Sequence, residues 1–69
     1  SGLNAAEITN LAEEVAVRVP QPIDWLEMTA QLESMGITDE VARHRYGALN
    51  TFTLGATILF HVRFRPVYA

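Results

Sequence analysis

The chain has no cysteine and no lysine, and its 69 residues contain no long uninterrupted apolar run. Without cysteine, neither a disulfide nor a thiolate zinc site can stabilise the fold. Five arginines stand against eight acids, and this net charge of −3 disfavours general nucleic-acid binding, which needs clustered positive charge. Residues 46–62 lack formal charge, but polar residues interrupt them, and a membrane span needs about 18 apolar residues.

The chain does contain enough apolar material for one small core. Hydrophobic residues make up 49% of the sequence, which argues against disorder, and 69 residues suffice for one domain at most. A domain of this size buries only about 60% of the surface that its unfolded chain exposes. We therefore expect its stability to come from a compact apolar core, from a partner, or from both.

The spacing of the apolar residues predicts an all-α fold, a compact bundle of about four short helices. Apolar residues recur at intervals of three and four, which places them on one face of a helix. The connections are only a few residues long, as in compact α-domains. The predicted helices span roughly residues 4–19, 24–35, 38–46 and 50–63.

Capping signals mark where these helices begin. Asn4 is the predicted N-cap of the first helix, Asp24 of the second and Thr38 of the third. Glu7 and Glu27 lie three residues after the first two caps, so each is expected to complete a capping box. The fourth helix is expected to begin at residue 50 or 51.

Proline and glycine mark where the helices end. Pro20 and Pro22 stop the first helix, because proline lacks an N–H and restrains the residue before it. Gly36 and Gly47 follow the second and third helices, as expected of residues that terminate helices. We interpret both glycines as helix ends rather than as parts of a phosphate-binding loop.

The fourth helix is apolar nearly all round, so we expect it to be the central, most buried helix. Gly55 within it indicates the close approach of another helix. Its end is open to two interpretations, because apolar and polar residues alternate over residues 59–65. A short C-terminal extended segment is the alternative to helix there.

Most of the aromatic residues are interpreted as core. Trp25, Tyr46, Phe52 and Phe60 are assigned to the interior because large aromatic side chains contribute much of the apolar area that small domains bury. Trp25 and Leu59 are the expected anchors of this core.

The ends of the chain suggest a fragment of a larger protein. Ser1 and Gly2 have the character of a remnant left by tag cleavage, and residues 3–65 form the predicted helical domain. Residues 66–69 are expected to be a tail that leads out of the domain.

The polar residues suggest no catalytic or metal centre. Glu40 and His44 lie one turn apart and could hold a metal with His61, but a simple Glu40–His44 pair explains the spacing better. Ser34 has no nucleophile motif around it. We therefore predict that the protein is not an enzyme and has no metal and no cofactor.

The charges are unevenly distributed along the chain. Residues 1–35 contain six acids and one arginine, whereas residues 36–69 contain two acids and four arginines. Solvated helix faces are the preferred explanation of this asymmetry; it is also compatible with head-to-tail association or with a basic end close to an anionic surface. Basic and aromatic residues of the second half form the predicted interaction surface: Arg43, Arg45, Arg63, Phe64, Arg65 and Tyr68.

One stretch carries a resemblance to known proteins. Met35 to Phe60 contains a Gly-aliphatic-x-Asp turn, an Ala-Arg helix, an aromatic-Gly turn and a Phe-containing helix. In this it resembles small helical N-terminal cytoplasmic modules of poorly characterised bacterial membrane and envelope proteins. The resemblance implies a cytoplasmic interaction module and transfers no functional residue.

Three function hypotheses follow from the sequence. The first is a non-enzymatic helical module of a larger bacterial protein, which binds a protein partner or itself. The alternative is a cytoplasmic juxtamembrane regulatory domain, with Arg63 and Arg65 at the membrane surface. The third is a small DNA-binding domain that uses Arg43, His44 and Arg45; its single basic spot makes nucleic acid the least favoured partner.

Overall fold

The computed structural model describes residues 2–19 and 23–64, and these residues form four α-helices. No strand occurs among them, so the predicted all-α bundle is confirmed. Each helix begins and ends within one residue of its predicted bounds. The helices are α1 (Ala5–Arg18), α2 (Trp25–Ser34), α3 (Asp39–Tyr46) and α4 (Thr51–Arg63).

Every helix begins with a side-chain cap. In each case the N-cap oxygen accepts a hydrogen bond from the backbone N–H three residues later, which satisfies one of the free amides of the first turn. The capping box predicted for α2 is formed in full, and α4 carries a second one. The N-caps are Asn4, Asp24, Thr38 and Asn50.

The capping box predicted for α1 is only half formed. Asn4 accepts the backbone N–H of Glu7 at 3.3 Å, as expected. The Glu7 carboxylate does not return to Asn4 but accepts a hydrogen bond from Arg45 Nε at 2.9 Å. The Glu7 carboxylate, which the local sequence pattern assigned to the capping box of α1, is thus bound to Arg45 of α3 instead.

The ends of α2 and α3 follow the glycine prediction. Gly36 and Gly47 are the described residues with positive φ, at 86° and 73°. After α2 the backbone N–H of Ile37 donates to the carbonyl of Leu32 at 3.0 Å, and that of Gly36 to Glu33 at 3.0 Å. This pair of bonds is the Schellman arrangement, which needs a residue in the left-handed conformation.

Helix α4 is the centre of the bundle, as predicted. It packs against each of the other three helices, and most extensively against α2. Within the described residues, α2 approaches no other helix closely. The buried hydrophobic core draws on all four helices and their connections: Ile8, Leu11, Ala12, Val15, Ile23, Met28, Leu32, Ile37, Ala42, Tyr46, Ala48, Leu54, Ile58 and Val62.

The close helix approach predicted at Gly55 is also present. A Cβ atom added at Gly55 would lie 2.7 Å from Thr29 Oγ1 and 3.5 Å from the Thr29 backbone. Glycine therefore leaves room between α2 and α4 for the Thr29 hydroxyl, which a Cβ atom at residue 55 would displace.

Both predicted core anchors are wrong. Trp25 is 40% exposed, and Leu59 is only half-buried against the edge of the core. Trp25 is the first residue of α2, where its indole lies over α4 and donates from Nε1 to the carbonyl of Phe52 at 2.6 Å. The most deeply buried large side chains are instead Ile8, Val15, Met28, Leu32, Leu54 and Ile58.

The alternative prediction of an extended segment over residues 59–65 is wrong for residues 59–63, which are helical. Residues 59–63 are the last turn of α4, and the backbone N–H of Phe64 donates to the carbonyl of Phe60 at 3.0 Å. Residues 65–69, with the predicted tail, lie outside the described residues. Within residues 2–19 and 23–64, no helix has the length and apolar character needed to cross a bilayer.

Candidate interaction surface

One basic residue of α3, Arg45, is held by neighbouring side chains. Arg43 and Arg45 are exposed in the last turn of α3. Arg45 binds the Glu7 carboxylate, which raises the pKa of the guanidinium, and its Cζ lies 5.5 Å from the centre of the Tyr46 ring. Tyr46 itself is buried, and this burial raises the pKa of its hydroxyl. Arg45 therefore links α3 to α1 as well as facing solvent.

The basic and aromatic residues at the end of α4 form a separate group. Arg63 donates from Nη2 to the carbonyl of Ile23 at 3.3 Å. Phe64 is exposed, and its ring centre lies 4.8 Å from that of Phe60. Arg65 and Tyr68, the other two predicted surface residues, lie outside the described residues. The predicted surface thus divides between the last turn of α3 and the end of α4.

The largest exposed apolar feature on α4 contains two residues predicted to be core, Phe52 and Phe60, and one predicted to be surface, Phe64. Phe52, Phe60 and Phe64 are 42%, 62% and 69% exposed, respectively. With the half-buried Ala56, they follow one another at four-residue intervals along the outer side of α4. We call these four residues the aromatic stripe. The interior assignments of Phe52 and Phe60 are therefore wrong.

Trp25 extends the aromatic stripe onto α2. Its ring stacks on that of Phe52, with the centres 4.1 Å apart and the planes 11° from parallel. Stacked aromatic rings hold one another in place. The Nε1–H bond to the Phe52 carbonyl also uses the indole's polar group. The exposed part of this pair is therefore apolar and fixed in position.

The polar side chains beside the stripe do not interrupt its apolar character. Thr53 Oγ1 donates to the carbonyl of Asn50 at 3.0 Å, and Thr57 Oγ1 to that of Thr53 at 3.3 Å. Both hydroxyls are thus hydrogen-bonded to the helix backbone. No acid or arginine occurs in α4 before Arg63.

The helical spacing of the sequence carries a signal for the stripe. The buried residues of α4 follow the helical spacing of Leu54, Ile58 and Val62, and these alone complete an inward face. Phe52 and Phe60 are offset from them by two positions, which is about 200° around the helix. An apolar residue on this opposite side of α4 is buried only where another part of the chain covers it. The bundle covers that side of α4 only in part.

A cleft on another side of the domain lies between α1, α3 and the end of α2. It has a volume of about 360 Å³, and Met35 and Tyr46 form part of its wall. Its two arginines each bind a glutamate: Arg18 binds Glu14 at 3.1 Å, and Arg45 binds Glu7. These ion pairs satisfy the groups that would otherwise attract an anionic ligand.

The candidate catalytic and metal-binding residues do not converge. Among residues 2–19 and 23–64, no three His, Asp or Glu side chains lie close enough to hold a metal ion. Glu40 and His44 remain exposed on α3. Ser34 donates its hydroxyl to the carbonyl of Gln31 at 2.7 Å, a local bond at the end of α2.

Comparisons with known proteins were made at the level of families, of individual sequences and of structures. No family, no curated protein and no solved structure was found to match this chain.

Proposed function

We propose that this chain is a non-enzymatic protein-interaction module that binds its partner through the aromatic stripe and Trp25. One observation carries the proposal: large aromatic side chains are exposed on a domain whose core closes without them. Burial of such rings normally supplies a large part of the stability of a small domain. In this domain the exposed aromatic rings can be fully buried only by another molecule.

The size of this surface supports the proposal. If a full aromatic side chain contributes about 200 Å², Trp25 and the three phenylalanines together expose roughly 400 Å². An apolar patch of this extent is at the size that often marks an interaction site on a small soluble protein. Aromatic residues are also enriched among those that contribute most to binding at protein interfaces.

The remaining chemistry supports a binding role rather than a catalytic one. Two of the polar side chains singled out by the sequence have structural hydrogen bonds: Ser34 with the end of α2, and Arg45 with Glu7. A DNA-binding role through α3 gains no support, since Glu7 neutralises one of its two arginines.

The test is site-specific photo-crosslinking in the organism that makes the protein. A photoreactive phenylalanine analogue is placed at Phe60, and in a matched variant at Val17, which is apolar and 88% exposed on α1. We expect discrete crosslinked species from position 60 and few or none from position 17. Equal crosslinking from the two positions, or none from position 60, would contradict the proposal.

A juxtamembrane role is the second candidate, and the end of α4 favours it. There Arg63 lies beside Phe60 and Phe64, and arginine with aromatic rings suits an anionic membrane interface. This role predicts salt-sensitive co-sedimentation with anionic vesicles that is lost in the double variant Arg63→Glu, Arg65→Glu. Binding that is indifferent to salt or to these charges would count against it.

A further inference from the structure

We propose that the partner of the aromatic stripe is a second copy of this chain. Two α4 helices would pack antiparallel, with the two-fold axis passing beside Ala56. This inference rests on the proposed function, because it identifies what the stripe binds. Two-fold dimers are the commonest assemblies of soluble proteins, and in them one surface must be complementary to itself.

The stripe has the arrangement that such self-pairing needs. Ala56 lies midway between Phe52 and Phe60, and it is the smallest side chain of the stripe. A small residue at the crossing point lets two helices approach to the short end of the usual 8–10 Å interaxial range. In an antiparallel pair centred there, Phe60 of each copy faces Phe52 of the other.

The neighbouring residues extend this match. Leu49 is 72% exposed just before α4 begins, about as far from Ala56 in sequence as Phe64 is in the other direction. Antiparallel pairing therefore brings Phe64 of one copy towards Leu49 of the other. Both are exposed apolar residues that the isolated domain leaves unburied.

Charge selects the antiparallel arrangement over the parallel one. Arg63 and His61 lie near the C-terminal end of α4, and α4 itself contains no acid. In-register parallel packing would place the two Arg63 guanidinium groups side by side. Antiparallel packing about Ala56 separates them by roughly 21 Å along the helix axis, at a rise of about 1.5 Å per residue.

The available area fits a reversible dimer. Two stripes with their Trp25 rings would bury roughly 800 Å² of aromatic surface, at about 200 Å² per full side chain. A standard protein interface buries about 1,600 Å² in total, so the aromatic rings would supply about half of it. Leu49, the threonine methyl groups and the surrounding backbone would contribute to the remainder.

The first test is sedimentation equilibrium of the whole chain across a range of concentrations. We expect a monomer–dimer equilibrium, and we expect Phe60→Ser to weaken it at least about tenfold. Val17→Ser is the matched control, because it makes the same kind of change on an exposed apolar residue of α1. Circular dichroism verifies that both variants fold. A dimer that Phe60→Ser leaves unchanged would overturn the proposal.

The second test determines the register of the two α4 helices by disulfide crosslinking of introduced cysteines. No native cysteine interferes, because the chain has none. Under mild oxidation, Ala56→Cys should form a disulfide-linked dimer, since a disulfide requires Cα atoms about 4.4–6.8 Å apart. Phe52→Cys mixed with Phe60→Cys should give the mixed dimer, whereas Phe60→Cys alone should not crosslink. Efficient crosslinking of Phe60→Cys to itself would indicate parallel packing and overturn the arrangement.

These experiments separate failure of the dimer from failure of the proposed function. If the chain is monomeric at all concentrations and position 60 photo-crosslinks a different protein, the second copy is excluded and the interaction module stands. If position 60 instead gives a crosslinked homodimer that Ala56→Cys reproduces, both are supported. If neither self-association nor stripe-specific crosslinking occurs, both are overturned, and binding to anionic vesicles becomes the remaining explanation of the stripe.

Discussion

Thr51 joins three parts of the fold through two hydrogen bonds. Its backbone N–H donates to Asp39 Oδ1 at 2.9 Å, and its buried hydroxyl donates to the carbonyl of Ile37 at 3.1 Å. The first residue of α4 is thereby connected to the first residue of α3 and to the segment that follows α2. The Thr51 N–H, assisted by the charge of Arg43, lowers the pKa of the Asp39 carboxyl.

Replacement of Asp39 by asparagine should therefore remove a pH-dependent contribution to stability. Because the folded-state pKa lies below the ordinary value of 3.8, the carboxylate stabilises the fold above that pH. This contribution is lost as the pH falls from 3.8 through the lower, folded value. Asp39→Asn should lower the free energy of unfolding at pH 7, and the difference from the wild type should shrink to nothing in strong acid.

Urea denaturation at pH 7 and at steps down to pH 2 measures this difference. Glu13→Gln, on the exposed side of α1, is the control for loss of one negative charge. A deficit of Asp39→Asn that stays constant across the whole range would show that the Asp39 charge does not act through its contact with Thr51.

At the scale of the helices, the sequence specifies boundaries more clearly than faces. Asp24 and Gly36 mark the ends of α2 because N-capping and the left-handed turn depend on local residue chemistry. Helical spacing places Phe52 and Phe60 away from the inward face of α4, but whether a neighbour covers them there depends on the whole bundle, and no local pattern contains that information. The fold class, the helix ends and the direction of the stripe could therefore be predicted from the sequence, whereas its exposure could not.

The contact between α2 and α4 gives a test of how tightly two helices are packed. Gly55→Ala should destabilise the protein by about 1–2 kcal/mol, because the new Cβ would lie 2.7 Å from Thr29 Oγ1. This loss would occur although alanine favours an isolated helix over glycine by about 1 kcal/mol.

The Thr29→Ala variant lacks Oγ1, so in that background Gly55→Ala should be neutral or stabilising. Chemical denaturation of the two single variants and the double variant measures the coupling between the positions. An equal cost of Gly55→Ala in both backgrounds would mean that Thr29 is not the obstacle.

At the scale of the whole molecule, one helix supplies the contacts that hold the others together. Leu54 and Ile58 are fully buried where α4 faces its neighbours, whereas the adjacent Leu59 is half-buried at the edge of the core. The apolar run at the end of the chain indicated a central helix correctly. It did not show which of two neighbouring aliphatic residues reaches the centre, because a rotation of 100° separates them.

Ile58→Ala should cost about 3 kcal/mol or more, through lost burial and an unfilled cavity. Leu59→Ala should cost clearly less, because solvent already reaches part of that side chain. Thermal unfolding of both variants followed by circular dichroism compares them directly. For a domain of this size each kcal/mol corresponds to a shift in Tm of about 4–8 °C. Equal losses at the two positions would contradict the assignment of the core.

The central position of α4 also has a consequence for biosynthesis. Among the described residues, α2 has α4 as its sole close helical neighbour, and α4 is the last of the four helices to leave the ribosome. Until then Met28 and Leu32 of α2 lack the helix that packs most extensively against them. The core therefore stays incomplete until α4 has been synthesised, and the four helices are expected to fold as one unit.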